Sequence, residues 1–439
     1  MLQATSRFFV NLMQKYLPAP FLFAIILTFV VFLMGWSMTD AGFIDMTRYW
    51  GEGFWDLLEF AMQMSLILVT GHILANSRPI KSILRAGASV PKNMPQAIVM
   101  VTIVGAIASW IQWGFGLVVL ALFSKEVARV VKGVDYRLLI ASAYSGYLVW
   151  HAGLAGSVTL AIAGEGHDFA DIMGVIPTSQ TIFNPANLLT VLALIILLPI
   201  LNRAMIPKEE DIIEVDPAVL EDEVDDTENA KLETVSDYIN NSRAISMIIG
   251  GLGMIYVVYY FANQGFDLNL NIVNFIFLFL GILLHGTPQR FLNALPNASV
   301  AAGPIIVQFP FYAGIMGMMT ASGLAAIMSE SIIGFANETT FPIFTFLSAG
   351  ILNFFVPSGG GQWAVQAPIV MPAAEALNVD YAQAAMAVAW GDAWTNMIQP
   401  FWALPALAIA GLGAKDIMGY CIMALILSGI VIPIGLMFM

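Results

Sequence analysis

Long apolar runs separated by short polar loops dominate this chain. A membrane-spanning helix needs about 20 consecutive apolar residues, and nine segments reach that length. They cover residues 17–37, 54–77, 138–163, 183–205, 244–262, 268–285, 300–328, 382–412 and 416–438. The pattern therefore predicts an all-α polytopic membrane protein.

The segment 95–131 is longer than one crossing and carries Gly114-Phe115-Gly116 near its centre. It is either one long helix or a re-entrant hairpin. Lys and Arg mark cytoplasmic loops, and basic residues stand on both sides of the segment: Arg78, Lys81, Arg85 and Lys92 before it, and Lys125, Arg129, Lys132 and Arg137 after it. Both ends of the segment are therefore predicted on the cytoplasmic side, so the segment enters the membrane and turns back.

The second half of the chain repeats the first. An offset of 245 takes Gly114, Gly116, residues 134–136 and Gly146 onto Gly359, Gly361, residues 379–381 and Gly391. An offset two residues larger takes residues 160–163 onto residues 407–410. Matches in register over such a length indicate an internal repeat, and they place a second hairpin at 341–376.

The number of membrane crossings determines how the two copies are oriented. Each copy makes four crossings and one hairpin, so it ends on the side where it began, and the extra span at 244–262 inverts the second copy. We expect a first repeat at 1–206, an acidic linker at 207–243, the connecting span, and an inverted repeat at 263–439. The N-terminus is then cytoplasmic, and residues 138–163 and 382–412 are broken spans.

Composition supports the membrane assignment and excludes several classes of protein. The chain is 59% hydrophobic and 11% charged, whereas soluble domains carry about 25% charged residues. Of its 30 acids, 13 lie between Glu209 and Asp237, which predicts a solvated cytoplasmic linker. No basic patch is available for nucleic acid, and the single cysteine excludes a disulfide framework.

Each copy contributes two helix breaks, one at a hairpin tip and one inside a span. Paired breaks of this kind mark the binding site of a transporter near the midplane. They fall at residues 110–116, 145–157, 353–362 and 391–400. Half-helices that end there direct free backbone N–H groups at the bound molecule, which suits a small anion.

The four breaks contain no Lys or Arg. A dicarboxylate or phosphate would more often recruit a fixed cation, so the breaks favour a single carboxylate held by amides, hydroxyls and a protonated His151, with tryptophans around a short apolar tail. The predicted substrate-binding residues are Gln112, Trp113, Gly114, Gly116, Trp150, His151, Ser157, Ser358, Gly359, Gly360, Gly361, Gln362, Trp394 and Thr395.

Asp392 is the acid placed deepest in a span. A carboxylate there costs about 3 kcal/mol or more unless it is protonated, paired or near water, so a functional role is expected. The predicted coupling-cation residues are Asn353, Ser358, Asp392, Thr395 and Asn396. Sodium would use their oxygens, whereas a proton would use Asp392 or His151; sodium is favoured, and no cofactor is expected.

Structural explanations compete with these assignments. Glycines in spans are often close-packing positions, tryptophans are often interfacial anchors, and His151 could be a satisfied core histidine. Asp392 could make a hydrogen bond that only packs helices.

Three stretches carry a family resemblance. They are Trp113-Gly114-Phe115-Gly116, residues 134–157 with Trp150-His151-Ala152-Gly153, and Asn353-Phe354-Phe355-Val356-Pro357-Ser358-Gly359. With these motifs the chain resembles the bacterial short-chain fatty acid transporter family over nearly its whole length except the linker. The third motif is also similar to carriers for dicarboxylates and basic amino acids.

The resemblance implies uptake of short monocarboxylates such as butyrate or acetoacetate across the inner membrane. It also implies kinship with a superfamily of ion-coupled carriers, usually dimers, in which a hairpin domain moves against a scaffold in an elevator-type motion. A carrier for dicarboxylates or amino acids is the main alternative. An anion channel would more often show a continuous polar pore, and a membrane enzyme would need a catalytic constellation that the sequence lacks.

Overall fold

The computed structural model describes residues 20–220, 233–354, 356–399 and 401–439, and these residues form helices and loops without strands. The first half contains α1 (Pro20–Met38), α2 (Phe43–Gly53), α3 (Leu58–Ala75), α4 (Arg78–Ala88), α5 (Met94–Ile111), α6 (Trp113–Val130), α7 (Tyr136–Ser145), a 3-10 helix (Gly146–Ala152), α8 (Ser157–Ala161), α9 (Ala170–Met173) and α10 (Pro185–Ala204).

The linker region and the second half continue the helical order. They contain two 3-10 turns (Glu209–Asp211 and Pro217–Leu220), α11 (Val235–Asn240), α12 (Arg243–Gln264), α13 (Leu270–His285), α14 (Pro288–Ala321), α15 (Leu324–Ile333), α16 (Phe341–Leu352), α17 (Gly359–Ala376), α18 (Tyr381–Thr395), α19 (Ala403–Ala410) and α20 (Ala414–Leu436).

Seven helical stretches of the described residues are long and apolar enough to cross a membrane, by length and composition. They are α3, α5, residues 136–161, α10, residues 235–264, α14 and α20. Several shorter apolar helices, such as α13 and α16, accompany them. The protein is therefore an all-helical, multi-pass membrane protein.

Both predicted hairpin segments consist of two helices with a break between them. The first break is a single residue, Gln112, whose backbone is extended (φ −162°, ψ 123°) while its side chain accepts from the Phe115 N–H. The second break is wider. The two helices of the second hairpin, α16 and α17, are joined by two hydrogen bonds. Gln362 Nε2 donates to the Ala349 carbonyl (2.9 Å), and Gln366 Nε2 donates to Ser348 Oγ (3.0 Å).

The two broken spans have the interruptions that their sequences predict. In the first, α7 passes into a 3-10 helix that ends at Ala152, and the chain turns before α8 begins at Ser157. In the second, α18 ends at Thr395 and α19 begins at Ala403. Two residues of the predicted breaks, Phe355 and Pro400, lie outside the described residues.

The span predicted at 300–328 has different bounds in the structure. α14 begins at Pro288, because Thr287 accepts a hydrogen bond from the Arg290 N–H and a proline at the first helical position favours helix start. It ends before Gly323, whose left-handed backbone (φ +80°) separates it from α15. At 34 residues, α14 is about 51 Å long, longer than the hydrocarbon core of about 30 Å.

Helix contacts divide the described residues into two groups. The early helices of both halves pack on one another: α3 contacts α13 and α14, and α14 contacts α1 and α2. The hairpins pack on the broken spans, with α5 against α7 and α16 against α18. The two halves also interlock, because α6 contacts α19 and α18 contacts the 3-10 helix of the first half.

Helix bounds in the two halves can be compared at the offset of 245. Shifted by 245, α4 covers 323–333, against Leu324–Ile333 for α15, and α6 covers 358–375, against Gly359–Ala376 for α17. α7 and α18 begin at positions 245 apart, Tyr136 and Tyr381. The inversion of the second half relative to the membrane stays a prediction.

The first part of the acidic linker is docked rather than freely solvated. The Ile213 N–H donates to Asp135 Oδ2 (2.9 Å), and the Ile213 carbonyl accepts from the Tyr136 N–H (2.8 Å). Arg129 donates to the Leu220 carbonyl. We call residues 212–220 the strap; residues 221–232 of the predicted linker lie outside the described part of the chain.

Candidate functional site

The two broken spans meet at a buried pair of side chains, His151 and Asp392. His151 lies at the end of the 3-10 helix and Asp392 lies one turn before the end of α18. His151 Nδ1 is 3.2 Å from Asp392 Oδ2, and both side chains are 0% exposed. The pair joins the first half of the chain to the second at the point where both spans are interrupted.

The other ring nitrogen determines the tautomer of His151. Its Nε2 accepts a hydrogen bond from the Val158 N–H in the first turn of α8 (3.1 Å), so Nε2 carries a lone pair and the proton resides on Nδ1, facing Asp392. The protonated imidazole expected from the sequence stays a prediction.

The Asp392 carboxylate has fewer donors than it can accept. The Nδ1–H of His151 approaches Oδ2 without the alignment of a full hydrogen bond, and within the described residues neither carboxylate oxygen has a well-aligned donor. A buried carboxylate with open acceptor sites is costly unless a proton, a cation or water joins it.

Two of the other predicted coupling residues, Asn353 and Thr395, lie together beside the backbone of Asp392. Asn353 Nδ2 donates to the Asp392 carbonyl (3.0 Å) and to Thr395 Oγ1 (2.9 Å). Asn353 Oδ1 is buried and has no partner in the described part of the chain. Unpaired oxygens of this kind are the ligands that a sodium ion uses; the same residues contain no cluster of three or more His, Cys, Asp or Glu side chains that could hold a metal ion.

A second buried group surrounds Trp150, whose ring stacks on His151 (centroids 4.1 Å apart). Trp113 lies 5.9 Å and Trp402 lies 6.4 Å from Trp150, and these two rings are 5.1 Å apart. Trp150 Nε1 donates to Asn396 Oδ1 (3.0 Å). We call Trp113, Trp150, Asn396 and Trp402 the tryptophan group.

The tryptophan group contains donors that lack acceptors. Trp113 Nε1, Trp402 Nε1 and Asn396 Nδ2 are buried and make no hydrogen bond to any described residue. Each such donor costs about 1–3 kcal/mol when it is left unpaired in a buried position.

The glycine run of the second hairpin covers this site and contacts the early helices. A Cβ at Gly359 would lie 3.0 Å from His151 Nε2 and 3.0 Å from Trp150 Cη2. A Cβ at Gly360 would meet Phe60 of α3 and one at Gly361 would meet Tyr312 of α14. The absence of side chains therefore lets the hairpin tip lie directly against both the site and the helices α3 and α14.

The first hairpin tip contributes packing contacts as well as Trp113. The Gln112 amide donates to the Ile67 carbonyl of α3. Gly114 lies against the backbone of Leu68 and Gly116 lies against Ser109, with no room for a Cβ at either position. The close-packing explanation thus fits these two glycines.

The remaining predicted residues divide between the site and its surroundings. Ser157 begins α8 beside the His151–Val158 hydrogen bond, and Ser358 caps α17. Gln362 joins the hairpin arms. Trp394 is not part of the tryptophan group: its Nε1 donates to the Leu425 carbonyl of α20 (2.8 Å) and its ring packs on Phe346.

The sequence reasoning missed Trp402, Tyr144 and Asn187. Trp402 lies just beyond the predicted break, and the Tyr144 hydroxyl donates to the Asn396 carbonyl (2.9 Å). Asn187 accepts a hydrogen bond from Trp390 Nε1 (3.1 Å). A polar residue within an apolar helix was the available signal for Asn187.

A cavity of about 270 Å³ lies beside the second hairpin, between α3, the loop after α8 and Trp363. Four acids line it: Asp56, Glu59, Glu165 and Asp168. Partial burial and the negative charge of Asp56 raise the pKa of the Asp168 carboxyl, while His167 opposes the shift. The lining favours cations over anions.

Comparison with known proteins adds the family. A family model described as “Short chain fatty acid transporter” matches residues 1–439. The chain belongs to this family. Two curated relatives, both provisionally named short-chain fatty acid transporters, match over nearly full length. The Escherichia coli (strain K12) protein is 47% identical over 437 residues, 99% of each chain, and the Haemophilus influenzae (strain ATCC 51907 / DSM 11121 / KW20 / Rd) protein is 46% identical over 449 residues, 100% of each chain.

A solved structure shares the fold of this family member. The YdaH transporter of Alcanivorax borkumensis, described as having an unusual topology, superposes with a TM-score of 0.56. The alignment covers 95% of this chain and 98% of YdaH at 15% sequence identity. At that identity the similarity concerns the fold alone.

Proposed function

We propose that this protein takes up short-chain fatty acids, small monocarboxylates such as butyrate or acetoacetate, across the bacterial inner membrane by cation symport. The observation that carries the proposal is the tryptophan group, where three buried N–H donors lack acceptors in the described residues. One carboxylate could satisfy them, and the indole rings could enclose a short apolar tail.

The charge of the site supports a monoanion. The helix breaks that meet there contain no Lys or Arg, so a second carboxylate on the substrate would be buried without a counter-ion. The resulting desolvation penalty disfavours dicarboxylates. An apolar tail of two to four carbons would instead contact the faces of the tryptophan rings.

Coupling to a cation follows from the membrane potential. Entry of an anion against an inside-negative potential is opposed by about 2.3 kcal/mol per charge per 100 mV, so concentrative uptake needs at least one accompanying cation. The unpaired oxygens of Asp392 and Asn353 are the proposed contact points for that cation. Sodium is our first choice because several oxygens, rather than one isolated titrating group, lie together.

The test is uptake of labelled butyrate into proteoliposomes. An imposed sodium gradient at equal pH should drive accumulation, and in counterflow acetate, butyrate and acetoacetate should exchange while succinate should not. If succinate or an amino acid outcompeted butyrate, the substrate would be assigned to that class of compound instead. Uptake that ignores sodium but follows a pH gradient would transfer the coupling role to protons.

Asp392→Asn is the matched variant in this experiment. It keeps an acceptor for His151 Nδ1–H but removes the charge, so gradient-driven uptake should fall at least about tenfold. Asp380→Asn is the control, because Asp380 is an exposed N-cap at the start of the same helix and Asn caps equally well. Equal uptake by the two variants would remove Asp392 from the coupling site.

The proposal also includes the orientation of the protein in the membrane and its oligomeric state. The charge pattern of the loops supports a cytoplasmic N-terminus, and related carriers suggest a homodimer. A cysteine replacing His167, introduced after Cys421→Ala, should react with an impermeant reagent only from outside. Labelling from inside would reverse the topology.

A further inference from the structure

A buried amide on α10 joins the two broken spans at a second point. Asn187 is 1% exposed and lies in the first turn of a helix that is otherwise almost wholly apolar. Its Nδ2 donates to the Ile182 carbonyl (2.9 Å) and the Ala152 carbonyl (3.3 Å), and its Oδ1 accepts from Trp390 Nε1 (3.1 Å).

These partners lie on both sides of the His151–Asp392 pair along the chain. Ala152 directly follows His151, and Trp390 precedes Asp392 by two residues. Residues two apart on a helix point about 200° apart. The Trp390 and Asp392 side chains therefore leave α18 in different directions, so Asn187 and His151 contact α18 at two separate points.

This geometry constrains the position and rotation of α18 relative to the first broken span. A rotation of α18 that moved Asp392 away from His151 would also pull Trp390 away from Asn187. A shift of the 3-10 helix would likewise break the bond from Asn187 to the Ala152 carbonyl. Both amide hydrogens and the oxygen of Asn187 are used, so the side chain has no alternative partner in this arrangement.

We propose that Asn187 is a positioning residue that sets the separation of His151 and Asp392 and thereby the affinity for the coupling cation. The inference rests on the proposed symport. Asn187 does not touch the substrate or the cation; it acts by fixing the distance between the two segments whose side chains do.

The test compares two variants of α10 that each lose a buried amide. Asn187→Leu removes all three hydrogen bonds. Asn202→Leu, the matched control, removes the bonds from Nδ2 to Thr102 Oγ1 (2.9 Å) and Ser145 Oγ (2.8 Å), where Ser145 precedes the 3-10 helix at the end opposite to His151. Both should lower thermal stability. Only Asn187→Leu should raise the cation concentration at half-maximal butyrate uptake, by about five- to tenfold.

A milder variant keeps the test decisive if Asn187→Leu does not fold. Trp390→Phe keeps an aromatic ring in α18 but removes the donor to Asn187, and it should shift the cation dependence in the same direction by a smaller factor. At saturating cation, the KM for butyrate should stay within about twofold of the unmodified protein in both variants.

Sodium and proton concentrations are varied separately, each with the other fixed. An unchanged cation dependence in Asn187→Leu and Trp390→Phe, or an equal change in Asn202→Leu, would overturn the positioning role. Failure of the proposed symport is distinguished by the unmodified protein, which would then show no dependence on either cation.

Discussion

At the scale of residues, the site separates unpaired acceptors from unpaired donors. The carboxylate of Asp392 and Oδ1 of Asn353 lack donors, whereas the indoles of Trp113 and Trp402 and the amide of Asn396 lack acceptors, among the residues that the structure describes. His151 stacks on Trp150 and contacts Asp392, so it touches both sets. A cation on one side and a carboxylate on the other would attract each other across a low-dielectric region.

This arrangement gives a physical reason for coupling. Each ion would raise the affinity for the other, and such coupling is reciprocal in binding free energy. An imidazolium at His151 would compete with the proposed coupling cation for the carboxylate of Asp392.

The contact of Gly359 with His151 leads to a prediction. Gly359→Ala would place a methyl group against His151 and 3.0 Å from Trp150 Cη2, and overpacking of this kind costs about 1–3 kcal/mol. Because the His151 ring is held by Val158 and Asp392, we expect the hairpin tip to shift and butyrate uptake to fall at least about tenfold.

Gly303→Ala is the control for that variant. Gly303 lies within α14 and has no atom within 4 Å of its added Cβ, so the substitution should leave uptake unchanged and stabilise the protein slightly, by up to about 1 kcal/mol. Initial uptake rates and thermal unfolding midpoints check both variants. Normal uptake by Gly359→Ala would show that the tip contact is not needed.

The sequence identified some of these residues and could not identify others. His151, Asn353 and Asp392 stand out because each is polar inside an apolar run. Trp394 and Trp402 could not be distinguished, because the helical phase is lost between Thr395 and Ala403 and the direction of each side chain depends on that turn.

At the scale of elements, the strap shows how the same motif is used differently in the two halves. Val134-Asp135-Tyr136 and Val379-Asp380-Tyr381 both start a helix, with the aspartate as N-cap. Asp135 also binds the strap and is buried, whereas Asp380 is exposed. The linker is thus anchored to one copy of the motif.

Replacing these two caps by alanine gives a paired prediction. Asp135→Ala loses the bonds to the Leu138 and Ile213 amides (2.8 and 2.9 Å) and should cost about 2–4 kcal/mol, whereas Asp380→Ala loses one cap worth about 1 kcal/mol. In detergent, Asp135→Ala should therefore lower the thermal unfolding midpoint more than Asp380→Ala does. A Glu-specific protease should also cleave at Glu214, within the strap, faster in Asp135→Ala than in Asp380→Ala.

Equal thermal shifts and equal cleavage would show that the strap is not held by Asp135. Sequence could not reveal the docked strap, because an acidic, aromatic-poor segment is typical of solvated linkers. The polar start of α14 was missed for a similar reason: apolar content locates the membrane-buried part of a helix, whereas Thr287 and Pro288 determine where the helix begins.

At the scale of the whole molecule, the hairpin tips lie at the contact between the two groups of helices. The first tip lies on α3 through Gln112 and Gly114, and the second lies on α3 and α14 through Gly360 and Gly361. At the second tip, glycines lie against the rings of Phe60 and Tyr312. The elevator-type motion that the family resemblance implies would take place across this contact, and it stays a prediction.

Cross-linking across that interface is the last prediction. In a Cys421→Ala background, cysteines replacing Phe60 of α3 and Ala364 of α17 would both line the same cavity. A short reducible bifunctional reagent that joins them should stop butyrate uptake, because the hairpin could no longer move relative to α3, and reduction should restore it.

The control pair joins two early helices, which the proposed motion leaves fixed relative to each other. Gln63 of α3 donates to Asn271 Oδ1 of α13 (2.9 Å), so cysteines at these two positions should cross-link with the same reagent and leave uptake unchanged. If both cross-links stopped uptake equally, the early helices would have to move as well, and a fixed scaffold would be ruled out. If neither did, the second hairpin would not travel across α3 during transport.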